Sequence, residues 1–197
     1  FKNVTANHTI EAVFAKVEAK PTNPFVDVAE GTYYYDPVLW AVANGITSGV
    51  DATHFEPEGT CTRAHAVTFL WRASGQPEPK TTNMPFRDVK PGSYYEKAVL
   101  WAVENKITNG TGTTTFSPDE NCTRAQIVTF LWRSEGEPYA SDSNNPFTDI
   151  ASDYYMDAVF WAVKEGITKG TTPTTFSPNE RCTRAQIVTF IYRAMAS

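Results

Sequence analysis

Little in this sequence would serve catalysis or nucleic-acid binding. Histidine occurs only 3 times in 197 residues, and none of the three stands in a metal-ligand spacing. No nucleophile is paired with a base, and no glycine-rich phosphate loop is present, so an enzyme reading has no residues to carry it. Basic residues are outnumbered by acidic ones, 17 to 22, and the net charge of -5 supplies no basic face for a nucleic acid. No apolar run reaches the roughly 18 residues that a membrane-spanning helix needs, so no membrane insertion is expected. Cys61, Cys122 and Cys182 are the only cysteines. An odd count excludes a fully paired disulfide framework, and their wide spacing fits no local metal site. No export signal opens the chain, which begins within what reads as structure; a fragment of a longer exported protein is expected.

What is present is a core and a repeat. Hydrophobic residues make up 41% of the chain and aromatics 13%, enough for a real core rich in Phe, Tyr and Trp. Phe25-Val26-Asp27-Val28 returns as Phe86-Arg87-Asp88-Val89 and Phe147-Thr148-Asp149-Ile150. Trp40-Ala41-Val42 returns at Trp101 and Trp161, and Cys61-Thr62-Arg63-Ala64 at Cys122 and Cys182. The repeats run over 23–73, 84–134 and 145–195. Between them, Ser74 to Asn83 and Glu135 to Asn144 are rich in Gly, Pro, Ser and acidic residues and read as linkers.

Each repeat reads as helix, loop, helix. In the second repeat the first helix is expected over Glu96 to Asn105, with Ser93 and Glu96 as a capping box. Pro37 falls near the equivalent start in the first repeat, where its missing N–H costs little. The loop carries Gly49, Gly110 or Gly170 at one place, where a glycine takes positive φ or admits close approach. Its Thr-rich stretches could form a brief extended segment but no sheet. The second helix starts at Thr123, a good N-cap, with Gln126 or Gln186 three residues on; the first repeat has His65 there. Its wide apolar arc leaves a polar stripe of Gln126, Thr129 and Arg133 and implies contact on several sides. The three second helices are therefore expected to pack as a central bundle, with first helices and loops forming three outer lobes.

These residues resemble the S-layer homology family. That pattern has Phe-x-Asp-Val, an aromatic pair before a helix, Gly-Ile or a relative of it, a loop ending Phe-x-Pro, and Thr-Arg-Ala-Glu. The chain shows all five elements three times over 23–195, with His, Gln and Gln in place of the final Glu. The resemblance implies a pseudo-threefold, three-pronged, all-α module outside a bacterial cell envelope, usually Gram-positive. The ligand class it implies is a secondary cell-wall polymer, often bearing a pyruvylated sugar, bound in grooves between neighbouring prongs. It implicates the signature arginine most directly, and no cofactor. Residues 1–22 stand apart: Thr9 to Ala15 reads as a strand and resembles the last strand of a small β repeat of bacterial surface proteins.

Arg63, Arg124 and Arg184 fall in the first turn of a helix, where free N–H groups and the dipole favour an anion and a guanidinium matches a carboxylate. The alternative is pairing with Asp27, Asp88 or Asp149. As first-turn residues the arginines are expected to lie outside the core, so that their loss would spare the fold. Gln126, Gln186 and His65 either contact sugar hydroxyls or only cap. With His65 beside Arg63, the first groove departs furthest from the pattern. The pairs Tyr33-Tyr34, Tyr94-Tyr95 and Tyr154-Tyr155 could stack on a sugar ring, with Tyr33, Tyr94 and Tyr154 as the candidates; one of each pair is expected in the core, as the tryptophans are. The three aspartates read as turn residues. The cysteines read as buried thiols, each under its own helix start and too far from the others for a disulfide. A chain whose three repeats close on themselves is expected to be a monomer. Anchoring to wall glycan, a structural or protein-interaction module with degenerate grooves, and a wall-active enzyme are the three function classes; the first fits the residues best.

Overall fold

The computed structural model describes residues 22–140, 145–151 and 153–196, and the expected strand at Thr9 to Ala15 lies outside them. Six helices follow in order: α1 Tyr35–Ala43, α2 Arg63–Ala73, α3 Glu96–Glu104, α4 Arg124–Ser134, α5 Met156–Lys164 and α6 Arg184–Met195. Among the described residues extended pairing is limited to isolated bridges, such as Gly112 with Thr115 and Thr172 with Thr175 in the Thr-rich loops. The all-α class and the brief extended segments are as the sequence implies.

The two helices of a repeat start differently. The second helices begin with a capping box in every repeat: the threonine hydroxyl accepts the backbone N–H three residues on, and that residue's side chain accepts the threonine N–H. His65 completes the box as the glutamines do. The first helices have no side-chain cap; Tyr34, Tyr95 and Tyr155 hold the N-cap place. The expected Ser93–Glu96 box is not formed. Glu96 instead reaches back to accept from the Gly92 N–H at 2.7 Å. The Ser93 carbonyl takes the Glu96 N–H at 3.1 Å, so the chain enters α3 through a turn. Each first helix ends where a buried isoleucine donates back into it: Ile46 to Ala41, Ile107 to Ala102 and Ile167 to Ala162, all at 2.8 Å.

The lobes do not coincide with the repeats. Helix α3 packs on α2, α5 on α4, and α1 on α6. Every lobe thus takes its second helix from one repeat and its first helix from the next, and the pairing of α1 with α6 joins the first repeat to the last. Trp40 meets Tyr192 edge-on at 5.4 Å across that closing contact. The first residues of each linker fold back on the second helices, where Trp71 and Trp132 donate to the Pro77 and Pro138 carbonyls at 2.9 Å. The second helices also touch one another at the centre, as the sequence implies.

The cysteines meet on the pseudo-threefold axis. The Cys122 N–H donates to the Cys61 carbonyl at 2.8 Å, Cys182 to Cys122 at 2.9 Å, and Cys61 to Cys182 at 3.1 Å, a closed ring. The expectation that each sits apart is therefore wrong, because the residue before each N-cap is the point of closure. The side chains are free thiols, fully buried, and burial pushes Cys61 and Cys182 up to about 12. Small side chains suit this place because three backbones converge on it.

Candidate functional site

The signature arginines are core residues. Arg63, Arg124 and Arg184 are 2%, 5% and 6% exposed. Each Nε donates to a carbonyl of another repeat: Arg63 to Phe116 at 2.9 Å, Arg124 to Phe176 at 2.9 Å, Arg184 to Phe55 at 2.8 Å. Each guanidinium lies over the same phenylalanine's ring, 4.7–4.8 Å from its centre. A second ring flanks it at 5.5–5.8 Å, from Phe130, Phe190 or Phe69. Burial lowers the pKa of all three, opposed by neighbouring groups that include Glu120, Glu180 and Glu56; a guanidinium stays charged throughout. The expectation that these residues lie outside the core does not hold: a first-turn position is buried here because the next repeat's loop covers it.

The same loop takes up the helix N-terminus. The Arg63 and Ala64 N–H groups donate to the Glu120 and Pro118 carbonyls at 2.8 and 3.0 Å. Arg124 and Ala125 do so to Glu180 and Pro178, and Arg184 and Ala185 to Gly59 and Pro57. With the next N–H on the threonine hydroxyl, no free backbone donor is left for an anion, and that part of the expectation fails. Pairing of the arginines with the Phe-x-Asp carboxylates is not what holds them either. Asp27, Asp88 and Asp149 each accept two backbone N–H bonds at 2.7–2.9 Å, from Phe55 and Glu56, Phe116 and Ser117, or Phe176 and Ser177. Their backbone lies in a turn or bend, as expected, but their carboxylates fasten it to the loop 27–29 residues on.

Three grooves run around the molecule, and each is built by all three repeats. One, of about 410 Å³, is lined by Arg63 of the first repeat, by Thr108, Gly110, Gln126 and Arg133 of the second, and by Tyr154 of the third. The next, of about 400 Å³, joins Arg184 with Gly49, Glu56, His65, Arg72 and Tyr94. The last, of about 550 Å³, joins Arg124 with Lys169, Gly170, Gln186, Arg193 and Tyr33. All three volumes suit a sugar unit. Every arginine, glutamine, histidine, glycine and first tyrosine expected from the sequence lines a groove. The partnering differs from expectation, since His65 lies with Arg184 and Arg63 lies with Gln126.

The tyrosine pairs divide as expected. Tyr33, Tyr94 and Tyr154 are exposed, while Tyr95 and Tyr155 are buried and Tyr34 packs against the core. Each pair meets edge-on at 5.0–5.2 Å. The capping residues are oriented by their caps. Gln126 Oε1 and Gln186 Oε1 accept from the threonine N–H groups at 3.1 and 3.0 Å. That leaves each amide NH₂ as the free end beside the groove. His65 Nδ1 accepts from the Thr62 N–H at 3.4 Å, which puts the ring proton on Nε2. Its ring stacks between Tyr94 at 5.8 Å and Phe69 at 6.3 Å. Burial and then Arg184 lower its pKa.

The glycines are required by space. A Cβ on Gly49 would stand 2.5 Å from the His54 carbonyl oxygen and from Phe25, and Gly110 and Gly170 are as tightly placed against Phe86 and Phe147. Sequence reasoning missed a second arginine in each groove. Arg72, Arg133 and Arg193 donate to the Ile46, Ile107 and Ile167 carbonyls at 3.0–3.3 Å. Their recurrence at one place per repeat was the signal for them.

The S-layer homology domain model matches residues 24–67, 85–128 and 146–188. An endoglucanase of Bacillus sp. (strain KSM-635) is 37% identical over 117 residues, 59% of this chain and 12% of that protein. A cell surface protein of Thermoanaerobacter kivui is 33% identical over 56% of this chain and 15% of its own length. A cellulosome-anchoring protein of Acetivibrio thermocellus is 26% identical over 87% of this chain and 39% of its own. The chain thus spans well under half the length of these relatives.

Proposed function

Because the chain belongs to the S-layer homology family, we propose that it holds a surface protein to the bacterial cell wall without a covalent bond, by binding an anionic wall polysaccharide in its inter-repeat grooves. The observation that carries this reading is the orphaned Nη2 of Arg63 and of Arg184. Each is buried beside a groove and has no hydrogen-bond partner among the described residues. A buried guanidinium donor left unpaired is costly, and a sugar carboxylate, such as that of a pyruvyl ketal, would satisfy it. Around it stand an amide or imidazole donor, a second arginine and an exposed tyrosine face suited to a sugar ring.

The change from the family's Glu to Gln supports the reading too. Glu at that place would set a carboxylate beside the incoming anion; Gln keeps the cap and offers N–H groups. A location outside the cell is supported by the relatives named as a cell surface protein and a cellulosome-anchoring protein. We propose a monomer, since α1 on α6 closes the ring, and a role without catalysis, nucleic acid or membrane insertion.

The test is co-sedimentation with purified Gram-positive sacculi, before and after chemical removal of the secondary polymer. Binding that disappears on stripping supports the glycan reading. Binding that survives stripping, or none at all, favours the protein-interaction module instead.

A further inference from the structure

The three grooves share a plan but differ in the state of their arginine. Arg63 Nη2 and Arg184 Nη2 are buried and unpartnered among the described residues. Arg124 Nη2 donates to the Lys169 carbonyl at 2.8 Å and lies 3.5 Å from Thr168 Oγ1.

The backbone explains the difference. Gly49 and Gly110 are left-handed, at φ +88° and +81°, whereas Gly170 lies outside that region. The Gly49 N–H donates to Thr47 Oγ1 at 3.2 Å, and the Gly110 N–H to Thr108 Oγ1 at 3.1 Å. In the third repeat the equivalent hydroxyl, Thr168 Oγ1, donates to the Lys169 carbonyl at 3.1 Å. One peptide thus shows its N–H to the threonine in two repeats and its C=O in the other. The Lys169–Gly170 peptide has turned over.

We infer that the grooves are inequivalent: those of Arg63 and Arg184 are open to a ligand carboxylate, and that of Arg124 is closed by the Lys169 carbonyl, which stands where a carboxylate oxygen would. The inference rests on the glycan reading above and deepens it. Arg124 already spends Nε on the Phe176 carbonyl and Nη2 on Lys169. An anion can take the place of the Lys169 carbonyl on Nη2 only by turning the peptide back and breaking a hydrogen bond from a charged donor. The Arg124 groove should bind about tenfold more weakly than the others, or worse.

The experiment uses the wild-type chain and two probes: a methyl hexoside carrying a 4,6-O-pyruvyl ketal, and the same hexoside without it. Calorimetry should count two sites per chain for the ketal and none of comparable affinity for the plain sugar. In ¹⁵N–¹H spectra of the same titration the Gly49 and Gly110 amides should shift together. The Gly170 amide should stay in place until the probe is at about tenfold higher concentration. Three equal sites, or a Gly170 amide that moves with the other two, overturns the inference and leaves the glycan reading standing. Binding of both probes alike, or of neither, overturns both.

Discussion

At the axis, Cys61, Cys122 and Cys182 exchange backbone hydrogen bonds in a ring, and the Nε bonds of the arginines two residues later repeat one another. At the groove rims the copies part company. Thr111 pairs with Ser117 at 2.7 Å and Thr171 with Ser177 at 2.6 Å, but the first repeat has Val50 and Glu56 at those places. Closure explains the contrast. On the axis each donor's acceptor belongs to another copy, so a change in one repeat breaks a bond in the next. On the rim these side-chain bonds stay within one repeat, and the copies can diverge without cost to the ring.

The severest way to break that comparison is to open the ring. Deleting residues 145–197 would remove α5 and α6, uncover the faces of α4 and α1 that they bury, and leave Arg124 without the Phe176 carbonyl. The remaining two repeats should show no cooperative thermal transition by circular dichroism. A sharp melt would mean that the repeats fold independently and that closure is incidental.

Next in size is a pair of arginines, one from each region. Arg63→Ala removes a charged hydrogen bond to a buried carbonyl and two ring contacts, and leaves a cavity; a loss of about 2–4 kcal/mol is expected. Arg133→Ala, half-buried on the groove wall with a hydrogen bond to Ile107 and a 3.9 Å ion pair to the exposed Glu137, should cost about 0.5–1.5 kcal/mol. Urea denaturation of both variants checks the order. Equal costs would erase the distinction between axis and rim.

How much of this was legible in sequence follows the same division. The second helices were legible because their signals are local: Thr at the N-cap, Gln three residues on, then an apolar run. The groove residues were legible because the repeat marks them. The burial of Arg63, Arg124 and Arg184 was not, because what covers them is the loop of another repeat, more than 50 residues away or 129 in the case of Arg184. The meeting of the cysteines, the pairing of His65 with Arg184 and the start of α3 were missed for related reasons. Periodicity reports which residues are equivalent and is silent on which copies touch. At α3 a turn hydrogen bond replaced the side-chain cap that Ser93 and Glu96 advertise.

The smallest effect belongs to His65. Its folded pKa lies below its ordinary 6.5, because of burial first and Arg184 second, with Asp119 opposing. The unfolded chain therefore takes up the proton before the folded one does. Stability is full above about pH 6.5, falls as the pH drops through that value, and stops falling once folded His65 is protonated. His65→Gln, the residue of the other two repeats, should show a shallower fall in Tm on acidification. Identical slopes would mean that the first-repeat cap is electrically silent.

The central proposal is that side chains closing the ring also meet the ligand, with Nε on a carbonyl of another repeat and the unpartnered Nη2 of Arg63 and Arg184 left for a ligand carboxylate. Ligand and fold must then be linked, and thermal melting of the wild-type chain with increasing pyruvylated hexoside tests the link directly. A site occupied at 100 times its Kd adds about 2.7 kcal/mol, and each kcal/mol is worth roughly 2–4 °C in a chain of this size. Tm should climb by several degrees with the pyruvylated sugar and stay level with its plain counterpart; a Tm that ignores both sugars at saturating concentrations would contradict the claim.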